Sequence, residues 1–401
     1  MTSTIARREV SLALVVLAGV QFTQVLDFML LMPLGAQLMR LFNITPMQFG
    51  FFTALYTAGA AVSGFAGAFI IDRFDRKRAL LALYAGFALT TLVCALAPGY
   101  GALLAARTLA GVFGGVLAAN VYAIVGDVVP EGRRGRALAF VMGASSIASV
   151  IGVPISLFLA NHFTWRAPYL FLTALSSLIL LCGWKFIPPL HAHVEAVRSQ
   201  QLFAQARGVF AEPNHIRAFA FSGLLMITGF LLFPFVAPYL VVNVGVSESE
   251  LPLIYFFGGL SAMAAVRLIG RLTDRDRKRR VFPAVAALSI VAALVITHLP
   301  RLPFFAVVLI SMFMWAVFPP RMVPAMALIT SAVVPRLRGS FMSFNASIQQ
   351  VCAGAAATVA SLIVGKAEDG SLTHFGTVGL LSALATIGCI ALARRVKSVP
   401  Q

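Results

Sequence analysis

Long apolar runs, each of about twenty residues, follow one another along the whole chain and are separated by short polar segments. A helical run of this length matches the hydrocarbon thickness of a bilayer. Because water is absent there, each run must satisfy its backbone hydrogen bonds within its own helix. We therefore predict an all-α integral membrane protein with these twelve spans: 11–37, 49–71, 79–97, 102–128, 137–160, 167–187, 216–242, 251–272, 281–298, 303–332, 341–364 and 375–393.

One polar segment is longer than the others and divides the predicted spans into two sets of six. We expect an N-terminal six-helix bundle over 1–187, a cytoplasmic linker over 188–215 and a C-terminal six-helix bundle over 216–401. Within the linker, residues 192–210 fit a short amphipathic helix lying on the membrane surface. A plain tether between the two bundles is the alternative.

The two halves repeat each other. The charged segment 72–78 after the second span returns as 274–280 after the eighth. The segment 128–135 before the fifth span has a counterpart at 333–339 before the eleventh, each with Val-Val-Pro followed by Arg-Gly. A repeat of six helices places both copies in the same orientation. The repeat therefore predicts two pseudo-symmetric bundles related by an axis along the membrane normal, with a cavity between them near the midplane.

Composition and charge agree with this class of protein. Hydrophobic residues make up 60% of the chain and charged residues 11%, which excludes an ordinary soluble domain. Most arginines and lysines lie at the termini and in the even-numbered loops, and the odd-numbered loops hold Arg40, Arg166, Arg301 and Lys366. The positive-inside rule then places both termini in the cytoplasm, in what we expect to be a bacterial inner membrane. Lipid headgroups suffice as partners for the net charge of +17, without nucleic acid.

Signals for other chemistry are weak. The four cysteines all lie inside apolar runs, and His191 with His193 is the nearest approach to a metal-ligand spacing. The sequence has no phosphate-cradling motif of an ATP-driven pump and no cluster of nucleophile, base and orienting group. We therefore expect no cofactor, no metal and no enzyme activity.

Four stretches resemble a known family. Residues 68–77 are similar to its Gly-x-Leu-x-Asp-Arg-x-Gly-Arg-Lys signature, with Ala68 and Asp75 in place of the two glycines. Arg107 with Gly111 resembles the arginine motif of the fourth helix.

In the fifth span, Gly143, Gly152 and Pro154 resemble a variant of the family's antiporter motif, and residues 165–166, Trp-Arg, follow it. These stretches identify the chain as similar to the major facilitator superfamily, in particular to its twelve-helix drug:proton antiporters and sugar-efflux permeases. The resemblance implies transport by alternating access, and we expect a monomer that acts on a small molecule together with protons.

The repeated charged segments suggest a conformational latch. The carboxylates of Asp72 and Asp274 are placed to face the positive starts of the eleventh and fifth helices, near Gly339 and Gly135. Such contacts would join the halves on the cytoplasmic side and favour the outward-open state. The predicted latch residues are Asp72, Arg73, Arg76, Asp274, Arg275 and Gly339. Alternatively, the basic residues of these segments only set the topology.

Two acids lie within apolar runs, and Asp127 is at the very end of its span. Asp27 lies well inside the first span, where an unpaired charge is costly, so we predict that it faces an aqueous cavity and binds a proton. Arg107 is the residue predicted to steer that protonation. The alternative is a purely structural carboxylate held by Gln21, Gln24 or an arginine.

Arg321 lies between three prolines, where the helical hydrogen bonds must break beside a cavity or other protein. We predict that it lies in or next to the substrate path, or else clamps the exposed carbonyls. Similar breaks are expected at Pro33, and at Pro234 with Pro238. The predicted cavity residues are Asp27, Arg107, Asn120, Arg321, Asn345 and Gln349.

The sequence thus favours a secondary transporter, by preference a proton-coupled exporter of a small amphipathic or organic solute. A symporter or uniporter of an organic anion on the same scaffold stays open, because two arginines and one acid lie well inside the spans. A lipid or lysolipid transporter and a sensor that has lost transport are further alternatives.

Overall fold

The computed structural model describes residues 7–70, 74–188, 207–273, 278–334 and 337–399. These residues contain twelve helical segments long and apolar enough to cross a membrane, which confirms the predicted number. We number them spans 1 to 12: Glu9–Leu30, Pro46–Gly67, Arg76–Leu96, Tyr100–Val128, Gly132–His162, Ala167–Phe186, Pro213–Val244, Leu251–Thr273, Lys278–Thr297, Phe304–Ser331, Arg338–Ile363 and Phe375–Arg395. The helix of span 1 begins at Arg7, and that of span 2 extends from Pro46 to Ile70.

Prolines interrupt three spans where the sequence predicted breaks, because proline has no N–H to donate. The helix Arg7–Leu30 ends before Pro33, and a short helix, Gly35–Leu41, follows. In span 7 the helices Pro213–Phe230 and Phe233–Tyr239 lead into a π-helical turn, Leu240–Val244. In span 10 the helices Phe304–Val317 and Met322–Ser331 flank the break at Pro319 and Pro320.

Span 5 contains a π-helical turn at the position of the antiporter-like motif. Its helices Glu131–Ile147 and Val153–His162 are joined by the π turn Ala148–Gly152. Pro154 lies in the first turn of the second helix and cannot donate a hydrogen bond to the preceding turn. Such π turns absorb a missing bond without ending the helix.

The alternating direction of the spans gives the bundle two faces. We call the face that carries Arg76, Arg134, Arg279 and Arg338 the basic face, and the face that carries Arg40, Glu248 and Lys366 the opposite face. At the opposite face, strand β1 (Gly365–Lys366) pairs antiparallel with β2 (Leu372–Thr373). Asn243 exchanges two hydrogen bonds of 2.9 Å with the main chain of Leu372, which fixes this hairpin to span 7.

Small residues bring the two halves together along two seams. Span 2 packs on span 11, where a Cβ added to Gly50 would lie 2.2 Å from Ser361 Cβ. Span 5 packs on span 8, where a Cβ on Gly259 would lie 2.9 Å from Val150 Cα. Close approach of this kind is what small residues permit between membrane helices. Near the opposite face, Gly35 also allows the short helix after span 1 to approach Pro238 of span 7.

Part of the predicted organisation lies outside the described residues. Residues 189–206 contain most of the predicted linker and of the predicted surface helix 192–210, while residues 207–211 are helical. The exact boundaries 1–187, 188–215 and 216–401 therefore stay predictions.

Candidate functional site

Two cavities lie between the halves. The central cavity, of about 380 Å³, is formed by spans 1, 5, 7, 8 and 10, and Arg321 is its charged residue. Its walls are mostly apolar and include Phe28, Met29, Phe230, Phe233, Trp315 and Phe318. The side cavity, of about 610 Å³, lies among spans 1, 2, 4 and 11 and is more polar, with Gln24, Asn120 and Gln350 in its walls. The side cavity extends to Arg76 and Gly339 at the basic face.

The predicted proton-coupling residues form a buried ion pair. Arg107 Nη1 in span 4 donates to Asp27 Oδ2 in span 1 at 2.7 Å, and also to the Asp27 main-chain carbonyl at 3.2 Å. Both side chains are buried, with exposed fractions of 1% and 0%. Asp27 Oδ1 and Arg107 Nε have no hydrogen-bond partner. The pair is thus desolvated and only partly satisfied, which is an expensive arrangement inside a membrane.

An aromatic ring covers the arginine of this pair. The guanidinium carbon of Arg107 lies 4.5 Å from the centre of the Tyr56 ring in span 2. Spans 2 and 4 come close enough for this contact at Gly111, where an added Cβ would lie only 2.0 Å from the Tyr56 carbonyl oxygen. Gly111, one turn after Arg107, therefore fixes the distance between the two helices at the ion pair.

The side chain of Asp27 does not line either cavity. Its neighbours Phe28 and Met29 line the central cavity, while the Asp27 carboxylate turns towards span 4. The prediction that Asp27 faces an aqueous cavity is therefore wrong for this conformation. The reason is the helical period: residue 27 lies about 100° around the helix from residue 28.

The residues of the antiporter-like motif differ in their surroundings. A Cβ on Gly152 would meet the Leu26 side chain at 2.9 Å, so Gly152 lets span 5 lie directly against the residue before Asp27. Pro154 follows the π turn in the same region. Gly143 faces open space, with no atom within 4 Å of a Cβ placed there.

Arg321 lines the central cavity and is only 2% exposed. Its guanidinium donates to Ser289 Oγ of span 9 at 2.7 Å and to the Thr228 hydroxyl of span 7. The guanidinium carbon lies 4.3 Å from the centre of the Phe318 ring. Hydroxyl groups on neighbouring spans, rather than the carbonyls at the proline break, accept these hydrogen bonds.

A row of aromatic rings connects the two arginines across the halves. Tyr56 contacts Phe28 at 5.2 Å between ring centres, and Phe28 contacts Phe230 of the other half at 5.8 Å. From there the row continues through Phe233 to Phe318, beside Arg321. The wall of the central cavity is therefore in contact with Tyr56, which lies over Arg107, and contains Phe318, which lies beside Arg321.

The three predicted amides do not gather at one point. Asn120 lines the side cavity and donates to the Arg76 main-chain carbonyl at 3.3 Å. Gln349 donates to Ser222 Oγ at 2.8 Å and so joins span 11 to span 7. Asn345 is buried, and its Oδ1 has no partner. Gln349 thus has the alternative role of bonding neighbouring helices.

Most of the predicted latch lies outside the described residues, namely Asp72, Arg73, Asp274 and Arg275. Arg76 is described: its Nη1 forms an ion pair of 2.6 Å with Asp127 within the first half. Gly339 lies at the start of span 11, in the wall of the side cavity, and a Cβ there would meet no atom within 4 Å.

Sequence reasoning missed an ion pair that joins the halves at the opposite face. Arg40, in the helix after span 1, pairs with Glu248, in the loop after span 7. Asn161 at the end of span 5 donates to the Glu248 main-chain carbonyl at 2.7 Å. The signal in the sequence was that Arg40 is one of the few basic residues in the odd-numbered loops.

Glu248→Gln is expected to weaken closure of the opposite face. Arg40 is 58% exposed, and exposed pairs contribute about 0.2–1 kcal/mol, so the population ratio should change by up to about fivefold. Spin labels at the exposed residues Phe163 and Phe305, after replacement of the native cysteines, would measure the separation of the halves. Glu250→Gln is the matched control, because Glu250 accepts from the Ser247 main chain within its own turn. Equal distance distributions in the two variants would contradict a role for the pair.

Twelve spans with cavities between the two halves of the chain are typical of a membrane transport protein. The family model of the Major Facilitator Superfamily matches residues 17–358. The chain therefore belongs to the Major Facilitator Superfamily, whose members are transporters and not enzymes.

Curated relatives include two proteins named as transporters and one named as a regulator. The chain is 24% identical over 378 residues to the uncharacterized MFS-type transporter YceJ of Bacillus subtilis, covering 94% of each chain. It is 23% identical over 251 residues to a probable sugar efflux transporter of Helicobacter pylori, covering 61% of each chain. It is 28% identical over 246 residues to the transcription regulatory protein OpdE of Pseudomonas aeruginosa, covering 61% of this chain and 60% of that one.

Solved structures share the fold. A bacterial homologue of the human lysosomal transporter Spinster, in an inward-facing and unoccupied conformation, superimposes with a TM-score of 0.75 at 16% identity, covering 99% of this chain and all of that one. The D-xylose-proton symporter gives a TM-score of 0.75 at 15% identity, with 97% and 99% coverage. The chain is thus an integral membrane transporter for small molecules with the major facilitator fold.

Proposed function

We propose that this transporter is a proton-coupled exporter of a small amphipathic organic solute. It acts as a monomer in a bacterial inner membrane with both termini in the cytoplasm, so that the basic face is the cytoplasmic face. The observation that supports this proposal is the buried Asp27–Arg107 pair beside the central cavity. Asp27 is the acid that lies well inside the spans, and an intramembrane acid of this kind is by default a functional group.

The position of Asp27 favours protonation from the opposite face. Span 1 runs from the basic face to the opposite face, and Asp27 lies three residues before its end at Leu30. In the described conformation the halves pack closely near this end, through Gly35 and Pro238, and the carboxylate is fully buried. Separation of the halves at the opposite face would admit water to Asp27, and a proton could then bind.

Arg107 would promote release of that proton on the other side. When Asp27 is ionised, the guanidinium supplies the 2.7 Å charge-assisted hydrogen bond seen in the structure. When Asp27 is protonated, Arg107 loses its counter-ion and retains the Tyr56 ring as a neighbour. Closure of the opposite face thus favours the ionised pair and expels the proton, while the solute would leave in the other direction.

The latch remains part of this proposal. In the alternate conformation, Asp72 would face the start of span 11 near Gly339, and Asp274 would face the start of span 5. The described Arg76–Asp127 pair holds the end of span 4 against the start of span 3, beside this region. The six-helix bundles 1–187 and 216–401 would rotate against each other about the two packed seams.

The test is proton movement in proteoliposomes made with purified protein and a pH-sensitive dye inside. Amphipathic cations, sugars and organic anions are added in turn, and a solute of the right class should release protons only from liposomes that contain the protein. A solute that accumulates without proton movement would refute the coupling and indicate a uniporter. Protons that move in the same direction as the solute would refute export by antiport.

A further inference from the structure

Within the described residues, no acidic side chain balances the charge of Arg321. Its two hydrogen bonds go to the neutral hydroxyls of Ser289 and Thr228, and a guanidinium carries five N–H donors. Each of those hydroxyls donates in turn to a carbonyl of its own helix, at 2.8 and 2.7 Å. The contacts therefore hold the guanidinium in place but supply no negative charge.

The spans of the second half contain no acid that could serve as a counter-ion. From residue 213 onward, the acidic residues are Glu248, Glu250, Asp274, Asp276, Glu368 and Asp369, all of them outside the spans. Within the described part of the chain, none of them forms an ion pair with Arg321. An unpaired charge at this depth costs several kcal/mol unless a partner arrives from outside the chain.

In the first half, the first and fourth spans hold an arginine whose charge is balanced by an acid. There the first and fourth spans carry Asp27 and Arg107, and the arginine stacks on Tyr56. In the second half, the first and fourth spans carry Thr228 and Arg321, and the arginine stacks on Phe318. In the second half the arginine of the fourth span is thus held by a hydroxyl of the first span rather than by a carboxylate, and the negative charge is left to a ligand.

The central cavity, which Arg321 lines, favours a ligand with an apolar body. Phe230, Phe233, Trp315 and Met29 line the same cavity as Arg321, and its volume of about 380 Å³ is that of a small-molecule site. A ligand that satisfies both features carries an acidic group at one end and an apolar or aromatic body at the other.

We infer that the transported solute is an amphipathic organic anion whose carboxylate, or a similar planar oxyanion, binds Arg321 in the central cavity. A guanidinium matches a carboxylate with two parallel N–H donors, which a lysine cannot do. The rest of the molecule lies against Phe230, Phe233 and Trp315. The inference rests on the proposed function only in taking the central cavity as the substrate path.

The test compares three probes that share one ring system: 1-naphthylacetate, the neutral 1-naphthylacetamide and the cation 1-naphthylethylammonium. Equilibrium binding is measured on purified protein in nanodiscs of neutral lipid. The wild type should bind the acetate at least tenfold more tightly than the amide, and more tightly than the cation. Arg321→Gln should abolish this preference, whereas Arg301→Gln, which removes an exposed charge outside the spans, should keep it.

A substitution at Thr228 provides the sharper variant. Thr228→Asp places a carboxylate beside Arg321, as Asp27 does beside Arg107, and should abolish the preference for the acetate without loss of thermal stability. Thr228→Asn is the matched neutral control and should retain the preference. If Thr228→Asp does not fold, Arg321→Gln carries the comparison alone.

Separate results would overturn the inference and the proposed function. A wild type without preference for the acetate, including one that binds none of the probes, overturns the inference, as does an unchanged preference in Arg321→Gln. Proton release driven by a cation, with no anion bound, overturns the inference and leaves the proposed function intact. Anion binding at Arg321 without any coupled proton movement overturns the proposed function and leaves the inference intact.

Discussion

Asp27→Asn is expected to reduce proton-driven transport to the level of liposomes without protein, while exchange of solute across the membrane persists. Asparagine has the shape of the protonated acid but can neither release nor take up a proton. The cavity itself should survive, because Asp27 does not line it. The measurements are solute accumulation under an imposed pH gradient and counterflow of labelled solute without one. Undiminished accumulation would show that another group carries the proton.

A loss of folding must be separated from this loss of coupling. Asp27→Asn leaves Arg107 buried without its counter-ion, and breaking a buried pair in this way typically costs roughly 3–5 kcal/mol. The double variant Asp27→Asn with Arg107→Gln removes both charges and should recover much of the thermal stability. Coupling should stay lost in the double variant. If coupling returned together with stability, the pair would be structural.

Gly111→Ala is expected to be severely destabilising, although it adds a single methyl group. The new Cβ would lie 2.0 Å from the Tyr56 carbonyl oxygen and 2.8 Å from its carbon, so spans 2 and 4 must move apart. Overpacking usually costs about 1–3 kcal/mol, and here the obstacle is main chain, which cannot turn aside. The measurements are thermal unfolding of the purified protein and its yield from the membrane fraction.

Gly126→Ala in the same helix is the matched control. A Cβ at Gly126 would meet no atom within 4 Å, and alanine is the better helix former by about 0.8–1 kcal/mol. The two substitutions should therefore change the unfolding temperature in opposite directions. Similar behaviour of the two variants would mean that the close approach at Tyr56 does not hold these spans together.

The sequence alone was sufficient for the class of protein. Twelve apolar runs predicted twelve spans, and the prolines at positions 33, 234 and 319–320 predicted the interruptions of spans 1, 7 and 10. These features depend on the chain locally, since the length of a run and the missing N–H of proline act whatever the neighbouring helix is. The motifs around Arg107 and Gly152 also indicated the Major Facilitator Superfamily, to which the chain belongs.

Tertiary structure decided what each polar group touches. The sequence suggested that Arg107 acts on Asp27, but it placed Asp27 on a cavity, whereas the packed helices turn it towards span 4. Three contacts had no sequence signal of comparable strength: Tyr56 over Arg107, the hydroxyls of Thr228 and Ser289 around Arg321, and the Arg40–Glu248 pair.

The physical reason is that hydropathy sets the position of a helix across the membrane but not its rotation about its own axis. Hydropathy fixes where a helix enters and leaves the membrane, because each apolar residue contributes to that position independently of its neighbours. The rotation of a helix about its own axis is set by packing, and one residue of error turns a side chain by about 100°. In this protein, close approaches at Gly50, Gly111, Gly152 and Gly259 set those rotations. Thus the sequence determined the twelve spans and the residues able to carry charge. The packing decided that Asp27 has a charged partner, while Arg321 has none of negative charge in the part of the chain that the structure describes.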